Sequence, residues 1–162
     1  MPSRDKILPR AMLRHRLGQA RAQAKTIVLA NGCFDILHVG HSRYLADAKS
    51  HGDVLVVGVN SDASTQRLKG PGRPILSEGA RAELVAALAA VDYVVIFDEP
   101  NVEALLKDLR PDVHAKGTDY TAESVPEREV SERLGVRIAI TGDQKRHSSR
   151  DLLARIAGPL NG

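Results

Sequence analysis

Two histidines three positions apart, His38 and His41, flank Gly40 in the string Asn31-Gly-Cys-Phe-Asp-Ile-Leu-His-Val-Gly-His41. On the opening turn of a helix this spacing places both imidazoles on one face. Imidazoles beside the unpaired N–H groups of a helix start make a site for a polyphosphate, because the donors and the helix dipole both favour an anion there. Gly32 lets the chain turn without a side-chain clash, and Gly40 lets a phosphate approach the backbone. The chain contains neither G-x-G-x-x-G nor G-x-x-x-x-G-K-[ST], so neither a dinucleotide site nor a P-loop is indicated. Alone, His-x-Gly-His reads equally well as two polar residues at a helix start. The whole string, directly after an apolar run, is what favours a site.

Other residues could complete the chemistry. Lys69 opens the turn-rich stretch Lys69-Gly-Pro-Gly-Arg-Pro74, a loop that could fold over a triphosphate and bring a mobile point charge to it. Arg81, in the first turn of a helix, is expected to reach phosphate as a fork. Lys116-Gly-Thr-Asp-Tyr120 follows a short apolar run. There Gly117 permits close approach of a ligand, and Asp119 could accept hydrogen bonds from sugar hydroxyls. Ser148 and Ser149 precede the final helix, with Asp151 placed as in a capping box, which suits a cap and a phosphate contact alike. Each of these residues also has an ordinary surface reading: a solvated lysine or arginine, a turn, a helix cap. Cys33 is the only cysteine, so no internal disulfide can form. It reads as a small packed side chain, since a nucleophile needs an activating base and an electropositive pocket.

These groups must be positioned by something, and the chain alternates two patterns. Short apolar, β-branched runs at 26–30, 54–59, 93–97, 112–115 and 136–140 read as parallel strands covered on both faces. Helices are expected at 41–51, 78–89, 101–109, 126–134 and 149–157. Leu45 and Ala48 should face the core from the first, Leu84 and Leu88 from the second, and Ser77 should cap the second. Alternating strands and helices imply a single α/β domain, a Rossmann-like doubly wound parallel sheet. Ligands bind such sheets beyond the carboxyl ends of the strands, which is where the singled-out residues fall.

Composition bounds the function. The chain has 162 residues, 43% of them hydrophobic, and no apolar run approaches the ~20 residues of a membrane helix. No secretory signal is evident, so a cytoplasmic address is expected. Aromatics are 3%, with no Trp, which argues against a stacking surface for single-stranded nucleic acid. Residues 1–25 carry a net +6 against +3 for the whole chain, so the remainder carries −3. This predicts a basic N-terminal helix or arm at 1–25, solvated, ahead of a domain at 26–162. Docking of that arm on an acidic partner or a membrane surface is the other reading.

Gly32-Cys-Phe-Asp35 with His38-Val-Gly-His41 resembles the signature of the cytidylyltransferase-like nucleotidyltransferases. Val59-Asn-Ser-Asp62, Arg67-Leu-Lys-Gly-Pro-Gly-Arg-Pro-Ile75, Arg81, Ala90-Val-Asp-Tyr-Val-Val-Ile-Phe97, Lys116-Gly-Thr-Asp-Tyr120 and His147-Ser-Ser149 extend the likeness over about 26–157. They are similar to the branch that makes ADP-heptose from ATP and D-glycero-β-D-manno-heptose 1-phosphate, a precursor of the lipopolysaccharide core. The resemblance implies an adenylyltransferase with ATP and a sugar 1-phosphate as partners, Mg²⁺ as cofactor, no nucleic acid and no membrane insertion, acting as a homodimer. It implies catalytic roles for His38, His41, Lys69 and Arg81. Nucleotide contacts fall to Gly32, Cys33, Phe34, Asp35, Gly40, Lys116, Gly117, Ser148 and Ser149, and sugar-phosphate contacts to Asp119 and Tyr120. Asp35 is the one candidate metal ligand. Two alternatives stand beside this: a CTP-dependent enzyme acting on glycerol 3-phosphate or a similar alcohol phosphate, and a nucleotide-binding regulatory module without turnover. One departure concerns the last helix. Relatives commonly show Ser-Thr-Thr before it, and some place a basic residue near the positions of Asp143 and Gln144; here Lys145 or Arg146 would have to supply that charge.

Overall fold

The computed structural model describes residues 1–144 and 147–158. Five strands, β1 (Ile27–Gly32), β2 (Val54–Asn60), β3 (Tyr93–Phe97), β4 (Val113–Gly117) and β5 (Arg137–Thr141), form one sheet in the order β3-β2-β1-β4-β5. Every pairing is parallel. The helices are α1 (Arg10–Ala22), α2 (Val39–Lys49), α3 (Asp62–Lys69), α4 (Glu78–Ala86), α5 (Glu103–Leu109), α6 (Arg128–Leu134) and α7 (Ser149–Ala157), with a 3₁₀ turn at Ser3–Lys6.

Strand alternation divides the core in two. Val28, Ala30, Val57, Val59, Val113 and Ala115 pack against Leu45 and Ala48 of α2 and Ala82, Val85 and Ala86 of α4. On the other face Ile27, Leu29, Val54 and Val56 meet Leu13 and Leu17 of α1, Leu105 and Leu106 of α5 and Val130 of α6. The expected α/β sheet is therefore observed, and Leu45 and Ala48 are fully buried as anticipated. Leu84 is not: α4 buries Arg81, Ala82, Val85 and Ala86 and leaves Leu84 exposed.

Two further elements depart from expectation. The stretch before Lys69 is a helix, α3, capped by the Ser61 hydroxyl and stopped by Gly70 at φ +93°. Its buried residues are Ser64 and Thr65, so it carries no apolar stripe to betray it. The basic leader keeps most of its charged side chains exposed, as expected, but it is not a detached arm. Its helix α1 buries Leu13, Leu17 and Ala20, and Leu8 N–H donates to the Val94 carbonyl at the sheet edge. Its cations meet acids of the same chain: Arg4 pairs with Glu83, Arg10 with Glu99 and Asp108, and Arg14 with Asp108. Arg21 donates to the carbonyls of Leu109 and Arg110. No helix among the described residues is long and apolar enough to cross a membrane.

The sheet order puts the topological switch between β1 and β4. The two strands pair only at Val28↔Val113 and Leu29↔His114, although β1 stays paired with β2 to Gly32↔Val59 and β4 with β5 to Gly117↔Thr141. Beyond Leu29 and His114 they part, opening the crevice where ligands of such sheets bind.

Candidate active site

The chain leaves β1 through Cys33 and the buried Phe34, which sits at φ +51°, a left-handed conformation uncommon for a bulky residue. It then enters α2 through a reciprocal cap. The Gly40 N–H donates to His38 Nδ1 at 3.1 Å and the His38 N–H donates to His41 Nδ1 at 3.3 Å. Both Nδ1 atoms are acceptors, so both rings carry their proton on Nε2. The rings stack at 3.9 Å between centroids, and Phe34 lies edge-on to His41 at 5.2 Å. Backbone bonds thus fix two imidazoles in the tautomer that presents Nε2–H as donor. Gly40 has a specific cause: a Cβ there would lie 2.9 Å from His38 Cε1. The space a side chain would need is occupied by the His38 ring itself.

Asp35 does not fit the role of metal ligand. It is 2% exposed, and its carboxylate accepts from Arg73 Nε at 2.6 Å and from the N–H groups of Ile75 and Leu76 at 2.9 Å. Burial alone would raise its pKa, but the bonds from Leu76, Ile75 and Arg73 outweigh it and hold the carboxyl below its usual range. Asp35 is the anchor that folds the 70–76 loop back over the β1–α2 turn. Among the described residues no cluster of three or more His, Cys, Asp or Glu side chains could hold a metal ion.

Arg81 departs from the expected phosphate fork. It is fully buried. Its Nε donates to the Leu76 carbonyl, Nη1 to the carbonyls of Cys33 and Asn60 at 2.7 Å each, and Nη2 to Asp62 at 2.8 Å. The guanidinium ties together the ends of β1 and β2 and the loop before α4. Lys69 instead ends α3, exposed, beside Gly70 and Gly72 at positive φ, a mobile cation on a flexible stem.

At the carboxyl end of β4, Lys116 is nearly buried, 3.5 Å from Glu127 and with its ammonium 4.6 Å from the centre of the Tyr120 ring. Glu127 was not visible as a partner in the sequence, since eleven positions separate the two. Asp119 is exposed, and Gly117 faces open space. Ser148 caps α7 by accepting from the Asp151 N–H, while the Ser149 hydroxyl donates to the Ile36 carbonyl at 3.2 Å, tying α7 to the histidine loop. Asp143 pairs with Arg43 and its carbonyl accepts from Thr118. Lys145 and Arg146 lie outside the described residues.

Two residues that the sequence did not single out, the half-buried Tyr44 and the buried His114, lie beside the crevice. The Tyr44 hydroxyl donates to the Ala115 carbonyl at 2.8 Å; burial, and then the Glu127 charge, hold this phenol well above its usual range against the opposing bond from the Asn31 backbone. His114, fully buried, places Nε2 2.9 Å from Asn31 Oδ1. Burial, and then the charge of Lys116, push its pKa from 6.5 to about 3. The folded state therefore binds a proton less readily than the unfolded chain, and stability falls as pH drops below 6.5. From this group alone the expected loss between neutral pH and pH 5 is about 2 kcal/mol. Denaturant melts across that interval check it: His114→Gln should flatten the dependence, and an unchanged slope in the variant would assign it elsewhere.

The histidine turn thus joins the first strand of an all-parallel sheet to the helix that follows it, with both imidazoles fixed by backbone bonds. The chain belongs to the cytidylyltransferase-like family, whose description matches residues 29–150. It is 48% identical over 152 residues to "Bifunctional protein HldE" of Syntrophotalea carbinolica, covering 94% of this chain and 31% of that protein. It is 49% identical over 136 residues to the protein of the same name from Geobacter metallireducens, covering 84% and 28%. The chain thus spans about three-tenths of the length of these relatives. Among solved structures it is similar to a lipopolysaccharide core biosynthesis protein from Thermoplasma volcanium, with TM-score 0.63 and 32% identity, covering 75% of this chain and 99% of that one.

Proposed function

We propose that this chain transfers AMP from ATP to D-glycero-β-D-manno-heptose 1-phosphate, giving ADP-heptose and pyrophosphate. The observation that carries the transfer chemistry is the capped histidine pair, with both Nε2–H groups held as donors at the end of β1. Two things support the substrate: the resemblance of Asn31–Phe97 to the heptose branch, and the likeness to the Thermoplasma protein of lipopolysaccharide core biosynthesis. An oxygen of the acceptor's phosphate, already anionic near neutral pH, attacks the α-phosphorus in line. A new P–O bond forms as the bond to the bridging oxygen breaks and pyrophosphate leaves. No strong base is needed; catalysis is positioning and neutralisation of phosphate charge. His38 and His41 donate to the α-phosphate and the bridging oxygen, and Lys69 closes on the outer phosphates. Arg81 serves by holding the loops. Mg²⁺, bound together with the nucleotide, would supply neutralisation of the phosphate charge; among the described residues no cluster of three or more His, Cys, Asp or Glu is placed to hold it. A cytoplasmic homodimer is the proposed working form.

The test is pyrophosphate release with ATP or CTP against heptose 1-phosphate and glycerol 3-phosphate. A site built to bond sugar hydroxyls rejects acceptors lacking them, because its polar groups are left unpaired. Expected is a preference of about a hundredfold or more in kcat/KM for ATP with heptose 1-phosphate. Efficient turnover of CTP with glycerol 3-phosphate, and none with ATP and the heptose, would replace this substrate assignment. Nucleotide binding without pyrophosphate release under any pairing would make the chain a regulatory module.

A further inference from the structure

His114 is out of place as a core residue. Its strand neighbours Val113 and Ala115 are apolar and buried, and its Nδ1 is buried with no hydrogen-bond partner. A leucine there would leave no such orphan, and an unpaired buried polar atom costs stability. The other ring nitrogen is engaged, with Nε2 2.9 Å from Asn31 Oδ1. A proton on Nδ1 would leave a buried donor unpaired and set two lone pairs against each other at Nε2. The Nε2–H tautomer is therefore the one this geometry requires, and His114 donates. Asn31 and His114 stand on the same face of the sheet, at the point where β1 and β4 part. With its oxygen held by His114, the Asn31 carboxamide has its NH₂ left to give, and it stands at the lip of the crevice, half-buried.

We propose that His114 is a positioning residue for the acceptor: by holding the Asn31 oxygen it presents the Asn31 NH₂ as a donor to the oxygens of the sugar phosphate in the crevice between β1 and β4. This rests on the nucleotidyltransferase reading but not on which alcohol phosphate is used. Asn31 contacts the ligand, and His114 acts only through it.

The test compares His114→Leu, His114→Gln, Asn31→Ala and the double variant His114→Leu/Asn31→Ala. His114→Leu should melt no lower than the wild type at pH 7.5, since it removes an orphan nitrogen, yet raise the KM for the sugar phosphate about tenfold with the KM for ATP nearly unchanged. His114→Gln, which restores an N–H donor, should recover most of that loss. Asn31→Ala should reproduce it, and the double variant should be no worse than either single, as expected of residues acting as one unit. A His114→Leu variant with a lowered melting point and an unaltered KM would make the residue merely structural, and losses that multiply in the double variant would break the link to Asn31. If the wild type prefers another alcohol phosphate, the heptose assignment falls and the same variants, measured with that acceptor, decide the role of His114. Nitrogen-15 NMR of the histidine rings decides the bond independently of turnover. A neutral Nε2–H tautomer for His114 down to about pH 5 is expected; a proton on Nδ1, or titration in the ordinary histidine range, overturns the proposal.

Discussion

Replacing His41 by alanine should lower kcat about a hundredfold or more while leaving the fold intact. The size follows from the role: one preorganised donor to developing phosphate charge is worth about 3 kcal/mol. The integrity of the fold follows from the position. His41 is only half-buried on the first turn of α2, and its loss removes the cap bond from the His38 N–H, of about 1 kcal/mol, together with ring contacts to His38 and Phe34. Gly40→Ala makes an informative companion. The added Cβ falls 2.9 Å from the His38 ring, and a ring can move where backbone cannot. The variant should keep its melting point and still lose turnover, because the ring that moves is one proposed to donate to the α-phosphate. Steady-state kinetics with circular dichroism on the same preparations check both. Near-normal turnover in folded His41→Ala protein would remove the histidine mechanism.

The sheet was legible because its strands are short, β-branched and apolar throughout. The run at 93–97 coincides with β3, and the other four strands begin or end within two residues of expectation. Such runs have one stable solution, burial on both faces. The histidine turn was legible because spacing and glycine placement are local properties. What escaped detection depends on contacts far apart in sequence. Arg81 reads as a surface arginine or a phosphate fork until Cys33 and Asn60, 48 and 21 positions away, offer it their carbonyls. Asp35 reads as a ligand until Arg73 and the N–H groups of Ile75 and Leu76 close on it. His114 lay inside an expected strand, where one polar residue among apolar ones gives no sign of the partner across the sheet. Helix α3 hid for a different reason, since its inward residues are Ser64 and Thr65 and hydrophobic periodicity had nothing to register.

The leader offers the second large effect, and here structure reverses what charge alone suggests. Seven basic side chains in the first 25 residues invite the view of a detachable arm, whose removal would leave kcat/KM within a few-fold. The burial of α1 argues otherwise. Leu13 and Leu17 are both fully buried, packed in the same cluster as Ile27, Leu29 and Val56 of the sheet. Truncating a buried leucine to alanine costs about 2–5 kcal/mol, so Leu13→Ala with Leu17→Ala should cost at least about 4 kcal/mol against a total near 5–15 kcal/mol. Thermal melts should fall on the order of 10–15 °C, and removal of residues 1–22 should leave no cooperative transition, since it uncovers the part of β1 and β3 that Leu13 and Leu17 cover. The ion pairs rank far below this. Arg14 and Arg4 are more than half exposed, and exposed pairs contribute about 0–1 kcal/mol each. Arg14→Ala should therefore shift the melt by no more than a few degrees, with kcat/KM unchanged. The basic side chains pair with acids around α1, but the two leucines carry its attachment. A truncated protein that melts cooperatively near the wild-type temperature and keeps its turnover would show instead that the sheet closes its own face without α1.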